Sequence, residues 1–136
     1  MEGMKFLVLD SNFATRETID SYSSVVWTDR YNTAGDFQLS IPPSKEALEY
    51  LKTDRYLWTE QSDRIMCIET REIKDDLDYG KSIVITGRSL ESILSRRIVW
   101  TKTQLTGNLQ DGIKKLLNEN VITPTIADRK IDNFIF

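Results

Sequence analysis

The stretch Ser23 to Ile41, "SSVVWTDRYNTAGDFQLSI", decides how this chain is read. Its second half alternates with a period of two: Phe37, Leu39 and Ile41 fall on one face, Gln38 and Ser40 on the other. That is the pattern of a half-buried β-strand. The first half repeats it, with Val25, Trp27 and Tyr31 on one side and Val26, Thr28 and Arg30 on the other. Between them, "NTAGD" is loop chemistry, and Gly35 can supply a positive φ. The two runs predict an antiparallel hairpin with an apolar inner face.

Strand signals continue on both sides. "KFLVLD" (5–10) reads as a strand, and "SNFATRETI" as a turn with a return strand. "RYLW" (55–58), "RIMCIETREIK" (64–74) and "KSIVITGR" (81–88) are three more. The last two are joined across "DDLDYG", with Gly80 at the turn. The period becomes helical in three places. In "PPSKEALEYLK", Ser44 can cap a short helix with Ala47, Leu48 and Leu51 on its apolar side. "SLESILSRR" is helical, with Ser89 in the N-cap position and Glu91 in the first turn, where the dipole favours an anion. In "NLQDGIKKLLNEN" (108–120), Leu109, Ile113, Leu116 and Leu117 share one face and Lys114 and Lys115 look to water. The expected fold is α+β: mainly an antiparallel β-barrel or strongly bent sheet, with one amphipathic helix and short flanking helices. Residues 1–136 are expected to form a single domain.

Composition narrows the function classes. A net charge of −3 and a pI near 5.0 argue against a free-standing nucleic-acid binder, whose affinity comes from cations on phosphates. The one cysteine, Cys67, permits no internal disulfide, and its apolar setting "RIMCIE" predicts a buried thiol. No apolar run approaches the roughly 20 residues of a membrane helix. The N-terminus "MEGMKFLVLD" lacks the basic region and cleavage site of a secretory signal, so folding in a reducing cytoplasm is expected.

Histidine is absent, which removes Ser-His and Cys-His nucleophile pairs and most zinc sites. "GRSLE" departs from the nucleophile-elbow pattern at Glu91, where a glycine is required. The acidic group Asp75, Asp76 and Asp78 fails the calcium-loop pattern, because Gly80 stands fifth and Lys81 sixth from Asp76. A solvated hairpin tip is the expectation there. No catalytic residue, cofactor or metal ligand is assigned, and the chain is not expected to be an enzyme. The surface candidates are Trp58 and Trp100 at element ends, and Arg96 and Arg97 at the end of a short helix. Neighbours on a helix point about 100° apart, so one arginine can cap the helix end while the other reaches outward. Arg97 is the one expected to meet an acidic neighbouring surface, the alternative being a pair with Glu91 or Asp111 in its own chain.

Two motifs taken together carry a resemblance. The first is "WTDRYNTAGDFQLSIP" (27–42), with Trp27, Arg30, Tyr31, Gly35, Asp36 and Phe37 matching a W-x-x-R-Y…G-D-F pattern. The second is "GRSLESILSRRIVW" (87–100), with Gly87, Arg88, Ser89, Leu90, Ile93, Leu94 and Arg97 matching G-R-S-L-x-x-[IL]-L-x-x-R. Over roughly residues 5–105 the chain resembles the N-terminal region of baseplate or tail-tip hub proteins from long non-contractile-tailed phages and prophages of Gram-positive bacteria. The resemblance implies a tail-tube-like β domain and a structural role in the virion. It implies part of a homotrimeric ring at the distal end of the tail tube, assembled in the host cytoplasm. The implied partners are the tube or distal tail protein and receptor-binding parts, with no sequence-specific nucleic-acid binding and no membrane. It also implies that the chain is the N-terminal fragment of a longer protein. The alternative reading is an OB-like module for single-stranded nucleic acid or carbohydrate, which needs Trp58 and Trp100 exposed beside Lys or Arg.

Overall fold

The computed structural model describes residues 3–134. Contacts divide the chain into two compact units, Met1–Ser92 and Ile93–Phe136.

The first unit is built on one seven-stranded antiparallel sheet. Its strands are β1 (Phe6–Leu9), β2 (Thr15–Ile19), β3 (Ser24–Thr28), β4 (Asp36–Ile41), β5 (Tyr56–Trp58), β6 (Met66–Asp76) and β7 (Gly80–Ser89). They lie in the order β2-β1-β5-β6-β7-β4-β3. The hairpins read from the sequence are all present: β1 with β2, β3 with β4, and β6 with β7. Period-two burial follows the expectation in β4, where Phe37, Leu39 and Ile41 are buried. In β3 the pattern stops at Thr28, so Tyr31 belongs to a loop and not to the inner face.

The closed barrel is a correction: among the described residues no ladder joins β2 to β3, and the sheet is open between them. It is nevertheless rolled. Laid flat, seven strands at about 4.8 Å spacing would hold the two edges about 29 Å apart. Yet the chain passes from Ile19 at the end of β2 to Ser24 at the start of β3. Five extended steps span at most about 17 Å. Every neighbouring pair is antiparallel, so β2 and β3 run in the same sense. They act as one bent stretch that pairs β1 in its first half and β4 in its second. Rings meet across the interior as a result, with Phe6 of β1 5.6 Å from Trp27 of β3. Irregularities at Val8/Leu9 and at Ile68/Thr70 add the local bend that rolling needs.

Inside the roll lie Phe6, Val8, Leu39, Leu57, Ile83 and Ile85, among others. Each is nearly or fully buried and contributes about 1.5–3 kcal/mol relative to exposure. Helix α1 (Lys45–Tyr50) sends Ala47 into this core, as does Leu51 just beyond it. Ser44 caps α1 as expected, its Oγ accepting from the Ala47 N–H at 2.9 Å. The α1 C-terminal carbonyls of Leu48 and Leu51 receive the Arg71 guanidinium at 2.8 and 3.1 Å. Cys67 is buried, as its apolar setting suggested.

A 3-10 helix, Leu90–Arg96, carries the chain across the division. The second unit holds α2 (Leu109–Leu117), a π-helical turn (Asn118–Ile122) and a short 3-10 turn (Ala127–Arg129). Asn108 caps α2 through its Oδ1, which accepts from the Asp111 N–H at 2.9 Å. Buried Asn120 organises the loops: it donates to the Leu116 carbonyl at 3.0 Å and accepts from the Trp100 N–H at 3.3 Å. Val121 is the single buried hydrophobic side chain among the described residues of this unit. The apolar face of α2 is present as the periodicity required, but Leu109 and Ile113 on it are exposed.

Candidate functional site

The two sequence motifs meet. In the β4–β7 ladder, Asp36 stands opposite Arg88 and Phe37 opposite Gly87. Just beyond the ladder, the Gly35 N–H donates to the Ser89 Oγ at 2.8 Å, and the Ser89 N–H returns a bond to the Gly35 carbonyl at 2.9 Å. Neither glycine tolerates a side chain. A Cβ on Gly35 would lie 2.4 Å from the Thr28 carbonyl oxygen, and one on Gly87 1.7 Å from the Cys67 carbonyl oxygen. Gly87 sits where β6 bulges between Ile68 and Thr70, which brings the neighbouring backbone too close for any Cβ.

Charged pairs ring this junction. Arg30 reaches Asp36 at 2.8 Å, and this pair holds the Asp36 carboxyl below the usual aspartate range. Arg64 pairs with Glu91 and also donates to the Arg30 carbonyl at 2.6 Å. Burial pushes the Glu91 carboxyl up, but the Ser89 hydroxyl, its own backbone N–H and Arg64 outweigh this and hold it low. Arg88 forms a bidentate pair with Glu69 at 3.0 and 2.8 Å. Ser62 donates to the Asp29 carboxylate at 2.9 Å. The Asp29–Gly35 loop is thus tied down from several sides, while Tyr31 at its tip is 101% exposed.

Ser89 is structural, as the sequence indicated, and its hydroxyl reaches back across the sheet to Gly35. It ends β7, is fully buried, and spends its hydroxyl on Gly35 and Glu91.

The four surface candidates are distributed over both units. Trp58 lies in β5, half-buried, and lines a shallow depression with Lys5, Leu7 and Thr18. Trp100 is exposed, and the Arg129 guanidinium sits 5.5 Å from its ring centre. Arg96 is exposed and Arg97 half-buried. The Arg97 Nε donates to the Arg129 carbonyl at 2.8 Å, so this side chain anchors a loop of its own unit. Arg129 in turn donates to the Ile98 carbonyl.

Two surfaces escaped the sequence reading. At the β6–β7 tip, Asp76 Oδ1 accepts from the Asp78 and Tyr79 N–H groups at 2.8 and 3.2 Å. The solvated tip was expected, but this ordered turn also holds Leu77 and Tyr79 out at 105% and 90% exposure. In the second unit, a groove of about 210 Å³ runs between Leu105 and the α2 residues Leu109, Gly112, Ile113 and Leu116. Periodicity marks an apolar face but carries no signal for whether anything covers it.

What the geometry offers is a braced β junction and exposed apolar side chains. Across residues 5–136 the chain matches the family described as Siphovirus ReqiPepy6 Gp37-like protein. The chain belongs to this family. No curated protein sequence matches it. Membership in a siphovirus family supports the phage origin expected from the two motifs and points to a virion structural role. No helix among the described residues is long and apolar enough to cross a membrane.

Proposed function

We propose that this Gp37-like chain is a structural part of the phage tail tip or baseplate hub. In this reading it contributes to a ring at the distal end of the tail tube and joins the tube to host-recognition parts. The observation that carries the reading is the family match over residues 5–136. The rolled antiparallel sheet, built around side chains instead of a ligand cavity, agrees with it. So does the exposed apolar surface of the second unit, which a monomer has no use for. The partners in this reading are the tube or distal tail protein, receptor-binding parts and further copies in a homotrimer. A phage carrying an epitope tag on this chain tests it. Labelling of purified virions at the tail end away from the capsid supports the hub role. Labelling along the tube, on the capsid, or not on the virion at all refutes it.

A further inference from the structure

Most of the outer edge of β6 has no strand beside it. β5 pairs with β6 only at Met66 and Cys67, and the Asp54 N–H and Arg55 carbonyl close on Ile68. Over residues 70–76 its one ladder partner among the described residues is β7, and all seven residues are exposed. The turn at 77–79 bounds this stretch at its far end. An edge of this kind presents a row of N–H and C=O groups to a further strand. Its charges are also ordered. Arg71, Glu72, Ile73, Lys74 and Asp75 read plus, minus, apolar, plus, minus. In reverse the order is minus, plus, apolar, minus, plus. An antiparallel neighbour presents its residues in reverse, so this strand is its own complement about Ile73. Ile73 is the midpoint of the uncovered stretch, and it is 62% exposed.

We propose that the β6 edges of two copies of this chain pair antiparallel about a two-fold axis at Ile73, joining their sheets. Arg71 then stands opposite Asp75 of the second copy, Glu72 opposite Lys74, and Ile73 opposite itself. The symmetry repeats each charged pair, and opposite charges facing each other across strands stabilise a sheet. Other registers fail. An axis at Glu72 or at Lys74 sets that residue against its own copy and brings Arg71 or Asp75 onto Ile73. An axis between two residues sets side chains of opposite faces against each other. Charges on an edge commonly keep other strands away; this order admits one strand in one register. Seven facing residue pairs add about six to eight backbone hydrogen bonds. The contacts already present do not oppose the pairing. Lys74–Glu72 at 3.8 Å and Lys81–Asp75 at 3.9 Å are long and exposed, so they rearrange at little cost. Arg71 holds the Leu48 and Leu51 carbonyls through Nη1, and a guanidinium has five donors. Two short strands make a small contact beside the roughly 1,200 Å² of a stable interface, so the dimer is transient in dilute solution. A two-fold contact differs from those of a three-fold ring, and the inference does not depend on the hub reading.

The test uses the whole chain carrying Ile73→Cys under mild oxidation; native Cys67 is buried and does not compete. In this register the two new thiols face each other, whereas those of Leu77→Cys, four residues from the axis on each strand, lie about 27 Å apart. Leu77 is the more exposed position, at 105%, so exposure alone favours it. Disulfide dimers of Ile73→Cys are nevertheless expected to form about tenfold faster, and the excess to shrink in about 1 M salt, where screening acts within about 3 Å. Adding Glu72→Lys alone, or Lys74→Glu alone, sets like charges face to face and removes the excess. Adding both to one chain restores opposite signs and restores the excess. Equal rates at the two cysteine positions overturn the proposal, as does an excess indifferent to the single charge changes. A loss that the double change does not restore overturns it too. Unmodified protein gives a second readout. Hydrogen exchange at alternate amides of residues 70–76, those facing away from β7, should slow as concentration rises toward about 1 mM, the range of weak complexes. Exchange there that is independent of concentration refutes the pairing without any variant.

Discussion

Gly35 and Ser89, 54 residues apart in sequence, exchange two hydrogen bonds: the Gly35 N–H to the Ser89 Oγ at 2.8 Å and the Ser89 N–H to the Gly35 carbonyl at 2.9 Å. The side-chain bond is buried, so removing the hydroxyl strands a donor where water does not reach. Ser89→Ala is expected to lower stability by about 1–3 kcal/mol, the cost of an unsatisfied buried group. Urea unfolding checks this. A loss of only a few tenths would mean that the strand shifts to satisfy Gly35 in another way.

Gly87→Ala should be far worse. The new Cβ would lie 1.7 Å from the Cys67 carbonyl oxygen and 2.9 Å from Phe37 Cε1. Backbone cannot yield as a flexible side chain does, so the cost exceeds the roughly 1–3 kcal/mol of ordinary overpacking. Soluble, cooperatively melting Gly87→Ala protein would contradict the β6 bulge placed opposite it.

Asp10 ties the β1–β2 turn. Its carboxylate accepts from the Ala14 N–H at 3.0 Å, the Asn12 N–H at 2.9 Å and Arg16 Nε at 2.7 Å. The two backbone bonds come first in holding this carboxyl below its ordinary value of 3.8, with Arg16 adding to them against a smaller effect of burial. A carboxyl that is more acidic when folded stabilises the native state fully above its unfolded value. That contribution is lost as pH falls through the folded value. Asp10→Asn should therefore melt earlier than the parent at neutral pH, and the gap should close in acid. A gap that persists well below pH 3.8 would show that the carboxylate charge is not what ties the turn.

Arg97 donates to the Arg129 carbonyl. Arg97→Ala should loosen the loop around Arg129 and cost about 0.5–1.5 kcal/mol, the net worth of one hydrogen bond. Hydrogen exchange should quicken at Lys130 and Ile131, whose N–H groups bond to the Ala127 and Val121 carbonyls at 3.0 Å. Unchanged exchange there, combined with failed tail assembly, would return Arg97 to the role of a contact with a neighbouring subunit.

Tyr31 makes the opposite case. It is fully exposed on a loop braced by Arg30–Asp36 and Arg64. Tyr31→Ala should leave stability within about 0.5 kcal/mol of the parent. A larger loss in thermal melting would show that the ring packs against its own chain.

Local pattern by itself determined the strands, their hairpins and the Ser44 cap, because each depends on residues close in sequence. The alternation in "FQLSI" predicts which side chains of β4 are buried, and Phe37, Leu39 and Ile41 are. The β6–β7 hairpin follows from two β-rich runs around Gly80. The two motifs marked the family, though nothing in either one showed that they pair with each other. Only the tertiary structure decided that Ser89 bonds to Gly35, since that bond spans 54 residues. It also set β5 between β1 and β6, left β2 and β3 unjoined, and kept Leu109 and Ile113 on the apolar face of α2 exposed. The reason is physical: periodicity records which face of an element is apolar, whereas what meets that face depends on how distant segments close and pack together.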